Sequence, residues 1–188
     1  MDSKEYKELS NKTMSDVFHL DKFELRLLHG AIGICTEVGE LLEAMNRKEV
    51  DAVNLAEEIG DILWYLAIFE REFDFELSII TADRYFERIL YINFHDTVEK
   101  LAMQSSQLLD FYKKKAFYAR LINNDTIEEK CQEIFNTVYF MITGLGFNLD
   151  DIKTNNIAKL QQRFGDKFCE TKANNRNLDA ERDILESL

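Results

Sequence analysis

Leu27-Leu-His-Gly-Ala-Ile-Gly-Ile-Cys-Thr-Glu-Val-Gly-Glu-Leu-Leu-Glu-Ala44, and after it Leu55-Ala-Glu-Glu-Ile-Gly-Asp-Ile-Leu-Trp-Tyr-Leu66, are the stretches on which the fold turns. Around the first, Leu25, Leu28, Ile32, Cys35, Val38, Leu41, Leu42 and Met45 recur at steps of three and four. That spacing predicts a helix over about Lys22 to Asn46 with these residues stacked on one face. Asp21 and Glu24 provide a capping box for it. A polar connection, Arg47 to Val53, leads to a second helix over about Leu55 to Arg71, with Asn54 as its N-cap and Glu57 completing a second box. A turn near Phe73 to Glu76 precedes a third helix, about Leu77 to Tyr91. Composition points the same way. The 188 residues contain no proline and only seven glycines, where ordinary usage gives about nine and about thirteen. With so few backbone breakers, long helices and an all-α fold follow.

The rest of the chain repeats the plan. Glu40-Leu-Leu-Glu43 has a counterpart in Gln107-Leu-Leu-Asp110, and Asn54-Leu-Ala-Glu-Glu58 one in Thr126-Ile-Glu-Glu-Lys130, with Thr126 as cap and Glu129 as its partner. Asp61-Ile-Leu63 answers to Glu133-Ile-Phe135, and Phe75-Glu-Leu-Ser-Ile-Ile80 to Phe147-Asn-Leu-Asp-Asp-Ile152. The offset is 67 residues in the first helix and 72 afterwards, which places extra residues in a longer connection, Lys113 to Asp125. The pattern reads as a tandem duplication of a three-helix unit, although amphipathic helices also resemble one another by chance. One all-α domain over 1–188 is expected, made of a unit at 22–91, a degenerate copy at 96–164 and a C-terminal segment at 165–188.

Charge and cysteines exclude several classes. Thirty-five acids against 23 bases give a net charge of -12, which disfavours nonspecific binding to nucleic acid or anionic membrane. A phosphate-bearing partner would need a metal ion or a local basic patch. Cys35, Cys131 and Cys169 are odd in number and form no CxxC, so neither a disulfide framework nor a thiolate zinc site is indicated. The N-terminal MDSKEYKELSNKTMSD lacks an apolar core, and no stretch approaches a membrane span. A cytoplasmic protein is the expectation.

Glu37 and Glu40 stand three apart in the first helix, as do Glu58 and Asp61 in the second. Such pairs lie on one side of a helix, and two facing pairs would gather four carboxylates in one cleft. Mutual repulsion and desolvation make this arrangement costly unless a cation compensates. Oxygen-only ligands favour magnesium, with manganese as a substitute. Acids at helical spacing more often form a solvated face; here they are set into apolar runs. Gly39 and Gly60 beside them permit close helix approach or leave room for a ligand. In the second copy Glu37 becomes Gln104, Glu40 becomes Gln107, Glu58 becomes Lys130 and Asp61 becomes Glu133. One half would then hold metal and the other supply scaffold.

The quoted stretches resemble the MazG-like, all-α nucleoside triphosphate pyrophosphohydrolases, whose ExxE and ExxD on successive helices are matched by Glu37, Glu40, Glu58 and Asp61. Asn156-Ile-Ala-Lys-Leu-Gln-Gln-Arg-Phe-Gly-Asp-Lys-Phe168 and Asn174-Asn-Arg-Asn177 look like the basic C-terminal segment of short members, here separated from the first unit by the second. The resemblance implies magnesium-dependent hydrolysis of a nucleoside triphosphate to the monophosphate and pyrophosphate, as in nucleotide-pool cleaning or removal of dUTP or dCTP. It implies Glu37 or Glu40 as the base, and Lys159 and Arg163 as a grip on the triphosphate, with Arg176, Lys172 and Asn175 behind them. His29 and Trp64 are candidates to border the base, or are packing residues. A homodimer is expected, with neither nucleic acid nor membrane as partner. Two alternatives stand: hydrolysis of a phosphoribosyl-type pyrophosphate, or a catalytically silent helical nucleotide-binding protein.

Overall fold

The computed structural model describes residues 1–79 and 94–186. Among these residues it contains eight helices and no strand: α1 Ser3–Asn11, α2 Lys22–Met45, α3 Ala52–Phe73, α4 Phe94–Tyr118, α5 Asn124–Gly144, α6 Leu149–Phe164, α7 Glu170–Ala173 and α8 Leu178–Leu185. The all-α expectation holds. The short helices α1, α7 and α8 were not expected, because six long helices filled the sequence reading. The expected helix at Leu77 to Tyr91 lies outside the described residues from 80 onward, and residues 77–79 are not helical.

Helix α2 packs against α3 and α4, α4 against α5, and α3 against both α5 and α6. One apolar core runs through these contacts, from Leu27 and Ile34 on α2 through Ile59 and Phe69 on α3 to Leu101, Ile134 and Ile152. The buried stripe of α2 is Leu27, Ala31, Ile34, Val38 and Leu41, rather than the one drawn from Leu25 and Ile32. Those two are 52% and 44% exposed. A helix with apolar residues over more than one stripe allows both assignments, and the small Gly30, Ala31 and Gly33 decide between them. A Cβ on Gly33 would come within 2.3 Å of the Tyr65 ring, so the absent side chain is what lets α3 lie this close to α2.

The caps revise three sequence boundaries. Asp21 and Glu24 form the expected box on α2. Helix α3, however, begins three residues early: Asp51 is its N-cap, accepting from the amides of Val53 and Asn54, and Asn54 and Glu57 form no box there. Helix α5 is capped by Asn123 and not by Thr126 with Glu129. The extra residues of the second half do not lengthen a loop either, since Lys113 to Tyr118 continue α4 as helix. The interior registers nevertheless carry burial across the halves. Buried Gly30, Ala31, Ile34, Val38 and Leu41 of α2 fall 67 residues before buried Thr97, Val98, Leu101, Ser105 and Leu108 of α4. On α3 and α5 the two caps, Asp51 and Asn123, are themselves 72 residues apart.

Candidate active site

The first unit brings three of the four signature acids together. Oxygens of Glu37, Glu40 and Glu58 all lie within 4.8 Å of one another, on the facing sides of α2 and α3. Glu58 is only 7% exposed, and its Oε1 accepts from the Asn54 side chain at 2.6 Å. Asn54 in turn accepts from Arg47 Nη1 at 3.0 Å. The residue read as a cap therefore orients a carboxylate of the cluster.

Crowding shows in the protonation of these groups. Burial first, then the negative charges of Asp61, Glu40 and Glu58, push the Glu37 carboxyl up to about 8. Glu58 is pushed up to about 7 by burial and then by Glu40 and Glu57, against the opposing hydrogen bond from Asn54. Three converging oxygen donors that resist ionisation for want of positive charge fit a hard divalent cation, which would replace the protons. Glu37, Glu40 and Glu58 are the residues that could hold it.

Asp61 stands beside this cluster and is engaged from the other side. Lys159 Nζ donates to both its oxygens, at 2.8 and 2.6 Å, and Asn156 Nδ2 donates to Oδ1 at 2.5 Å. Lys159 also reaches Glu57 Oε1 at 3.2 Å and is fully buried. An ammonium with no solvent exposure must be compensated nearby, and Asp61 and Glu57 do this. The expectation that Lys159 projects toward a triphosphate is thus not how the side chain lies. Gly60 makes the arrangement possible: a Cβ there would sit 3.1 Å from Asn156 Cβ and Nδ2, so α6 can approach α3 closely enough to reach Asp61. Gly39, the other glycine beside the acids, faces open space and serves no close approach.

A cavity of about 790 Å³ opens over the acids; Glu37, Glu40, Glu58 and Asp61 line it together with His29, Trp64, Arg163 and Arg176. Trp64 is 37% exposed and meets Tyr65 edge-on at 4.9 Å, and Tyr65 meets His29 at 5.7 Å. Both proposed base-bordering residues therefore sit at one mouth. Arg163 gives a bidentate pair to Glu181, at 2.8 and 2.6 Å, and Arg176 joins the same carboxylate at 2.7 Å. Lys172 and Asn175 are turned elsewhere, donating to the carbonyls of Phe164 and Thr171, and neither lines the cavity. Asn54, Asn156 and Glu181 were missed from sequence. Asn156 was recoverable, since it shares with Lys159 and Arg163 the three- and four-residue steps of one helical face.

Residues 31–89 match the family model of the MazG nucleotide pyrophosphohydrolase domain. The chain is MazG-like over these residues. The match contains all four signature acids and points to nucleotide pyrophosphohydrolase activity in general, a chemistry that uses a divalent metal. No curated protein and no solved structure matches the chain. Among the described residues no helix is long and apolar enough to cross a membrane.

Proposed function

We propose that this MazG-like chain is a magnesium-dependent pyrophosphohydrolase that cleaves a nucleoside triphosphate, ribo- or deoxy-, between its α and β phosphates. The observation that carries the reading is the convergence of Glu37, Glu40 and Glu58 oxygens within 4.8 Å, on the wall of a cavity whose other side carries Arg163 and Arg176. Bound magnesium would neutralise phosphate charge and make a coordinated water more acidic. Glu37, Glu40 and Glu58 hold that cation, while Asp61 stays anchored by Lys159 and Asn156. Glu37 is the better base of its pair and takes the proton of the attacking water on a carboxylate oxygen. Water oxygen bonds to phosphorus as the bridging P–O bond breaks, and pyrophosphate leaves with the electron pair. Arg163 and Arg176 bind the departing phosphates, and Trp64 with His29 borders the base.

The second half supports the reading by what it lacks. We read α4 to α6 as a degenerate copy of the first unit, with one metal centre per chain and a homodimer as the assembled form. The test is incubation of the full chain with a panel of ribo- and deoxynucleoside triphosphates plus magnesium, quantifying pyrophosphate and monophosphate. Equal release of the two is expected from at least one substrate. Release of orthophosphate, or no release from any member of the panel, would overturn the assignment.

A further inference from the structure

Helix α8 turns a carboxylate inward. Its two buried residues, Glu181 and Leu185, are four apart and so share one face. Glu181 is only 3% exposed, and a buried charge is tolerated only when paired and hydrogen-bonded. Its partners are the two guanidiniums of the cavity wall. Arg163 Nε donates to Oε1 at 2.8 Å, and Arg163 Nη2 donates to Oε2 at 2.6 Å. Arg176 Nε and Nη2 both donate to Oε2, at 3.2 and 2.7 Å. Burial alone would raise the carboxyl, yet the hydrogen bonds of Arg163 and Arg176 hold it down at about 2.

The remainder of α8 fixes this carboxylate against both walls of the site. Arg182, the next residue, donates to Asp51 Oδ2 at 2.6 Å, and Asp51 is the N-cap of the helix that carries Glu58 and Asp61. Arg163 belongs to α6, the helix that carries Asn156 and Lys159. Helix α8 thus ties α6 to the start of α3. Of the five N–H donors on an arginine, Glu181 takes two from each guanidinium, and both side chains still line the cavity. Without the shared carboxylate, two like charges would repel and two flexible side chains would sample many rotamers.

We propose that Glu181 is a positioning residue: it pairs Arg163 with Arg176 and presents them together to the phosphates of the substrate. The proposal rests on the pyrophosphohydrolase reading for the identity of that substrate, but the ligand chemistry it requires is only a polyphosphate chain. Pre-organised donors bind tightly because little freedom remains to be lost on binding.

The experiment uses the full chain with magnesium and two readouts: steady-state kinetics on the best triphosphate of the panel, and calorimetric affinity for inorganic tripolyphosphate. Glu181→Gln is expected to raise KM about tenfold while lowering kcat less than about threefold, and to weaken tripolyphosphate about tenfold. In Arg163→Met, adding Glu181→Gln is expected to cost little more, because both changes break one unit. If Glu181→Gln abolishes the thermal unfolding transition, Glu181→Asp carries the test: its shorter arm draws both guanidiniums back and weakens tripolyphosphate several-fold. Wild-type KM and tripolyphosphate affinity in a folded variant, or full additivity with Arg163→Met, overturns the proposal. Failure of the wild type to hydrolyse any triphosphate while it binds tripolyphosphate refutes the functional reading and leaves the Glu181 arms measurable. If the wild type binds no tripolyphosphate, the positioning role is refuted as well.

Discussion

The two halves place different chemistry on closely similar frames. In the first, three carboxylates converge and two of them are pushed up to about 8 and 7. At the equivalent positions of the second, Lys130 Nζ donates to Gln107 Oε1 at 2.8 Å and to Glu133. Gln104, the counterpart of Glu37, is buried and accepts from Thr137 Oγ1 at 2.9 Å. These groups lie in or beside a cleft of about 530 Å³ between α4 and α5. The difference shows what the fold requires and what the chemistry requires. Apolar positions recur in both halves because the core needs them. The acidic cluster is kept only in the first half, where repulsion is left for an external cation to relieve; the second half carries an ammonium and two amides and relieves it internally.

Exchanging charge at the equivalent positions sharpens this contrast most. Glu58→Gln keeps the shape of the side chain and removes a charge from the cluster. It is expected to reduce pyrophosphate release by at least about 100-fold and to abolish the magnesium-induced rise in thermal stability. Lys130→Met, the matching change in the second half, is expected to leave turnover within about twofold and the magnesium effect intact. Comparable losses from both variants would break the comparison and place the second cleft in the reaction.

The next effect is read without substrate. An unfolded glutamate titrates near ~4.3, whereas folded Glu37 and Glu58 are raised to about 8 and about 7. Between those limits the folded chain binds more protons than the unfolded one, so this cluster makes stability fall as pH rises through the window. Below it both states are protonated, and above it both are ionised, so the slope disappears at each end. With divalent cations chelated, Tm is expected to drop by roughly 5 °C between pH 5 and pH 8. Added magnesium should restore more stability at the upper end than at the lower, because it replaces protons. Glu37→Gln should flatten the chelated profile; an unchanged slope in that variant would assign the pH dependence elsewhere.

How far the site was legible in the sequence depends on the range of the interactions. Helix α2 and its Asp21–Glu24 box were readable because they are set by neighbours within one turn. The acid spacing was readable for the same reason, and so was the loss of acids in the second half. The start of α3 was misjudged because two adjacent polar residues, Asp51 and Asn54, both suit an N-cap, and only tertiary contact separates them. Arg182 pairs with Asp51 and Glu58 takes the side chain of Asn54. Lys159 was misjudged for a related reason. Its partners Glu57 and Asp61 come from a helix about a hundred residues earlier in the chain, and helical spacing carries no information about which face that helix presents. Helix α8 has a strong apolar and acidic pattern, but the meaning of Glu181 appears only when two distant arginines meet it.

The smallest predicted contrast lies at Gly60 and its counterpart Gln132, 72 residues on. In the first half the missing side chain admits α6, with Asn156 atoms 3.1 Å from where a Cβ would be. In the second the glutamine accepts from the Ser78 amide at 3.2 Å and donates to the Ser78 carbonyl at 2.8 Å, so a side chain fills the matching space and ties down the chain before residue 80. Gly60→Leu is expected to destabilise by about 1–3 kcal/mol through overpacking, and to lower activity by moving Asn156 away from Asp61. Gln132→Leu removes two hydrogen bonds at a partly exposed position and should cost about 1 kcal/mol or less, with activity retained. Denaturant melts and pyrophosphate release measured on the same two variants decide it. A silent Gly60→Leu would mean that α6 does not depend on this close approach, and that Asp61 can be held without Asn156.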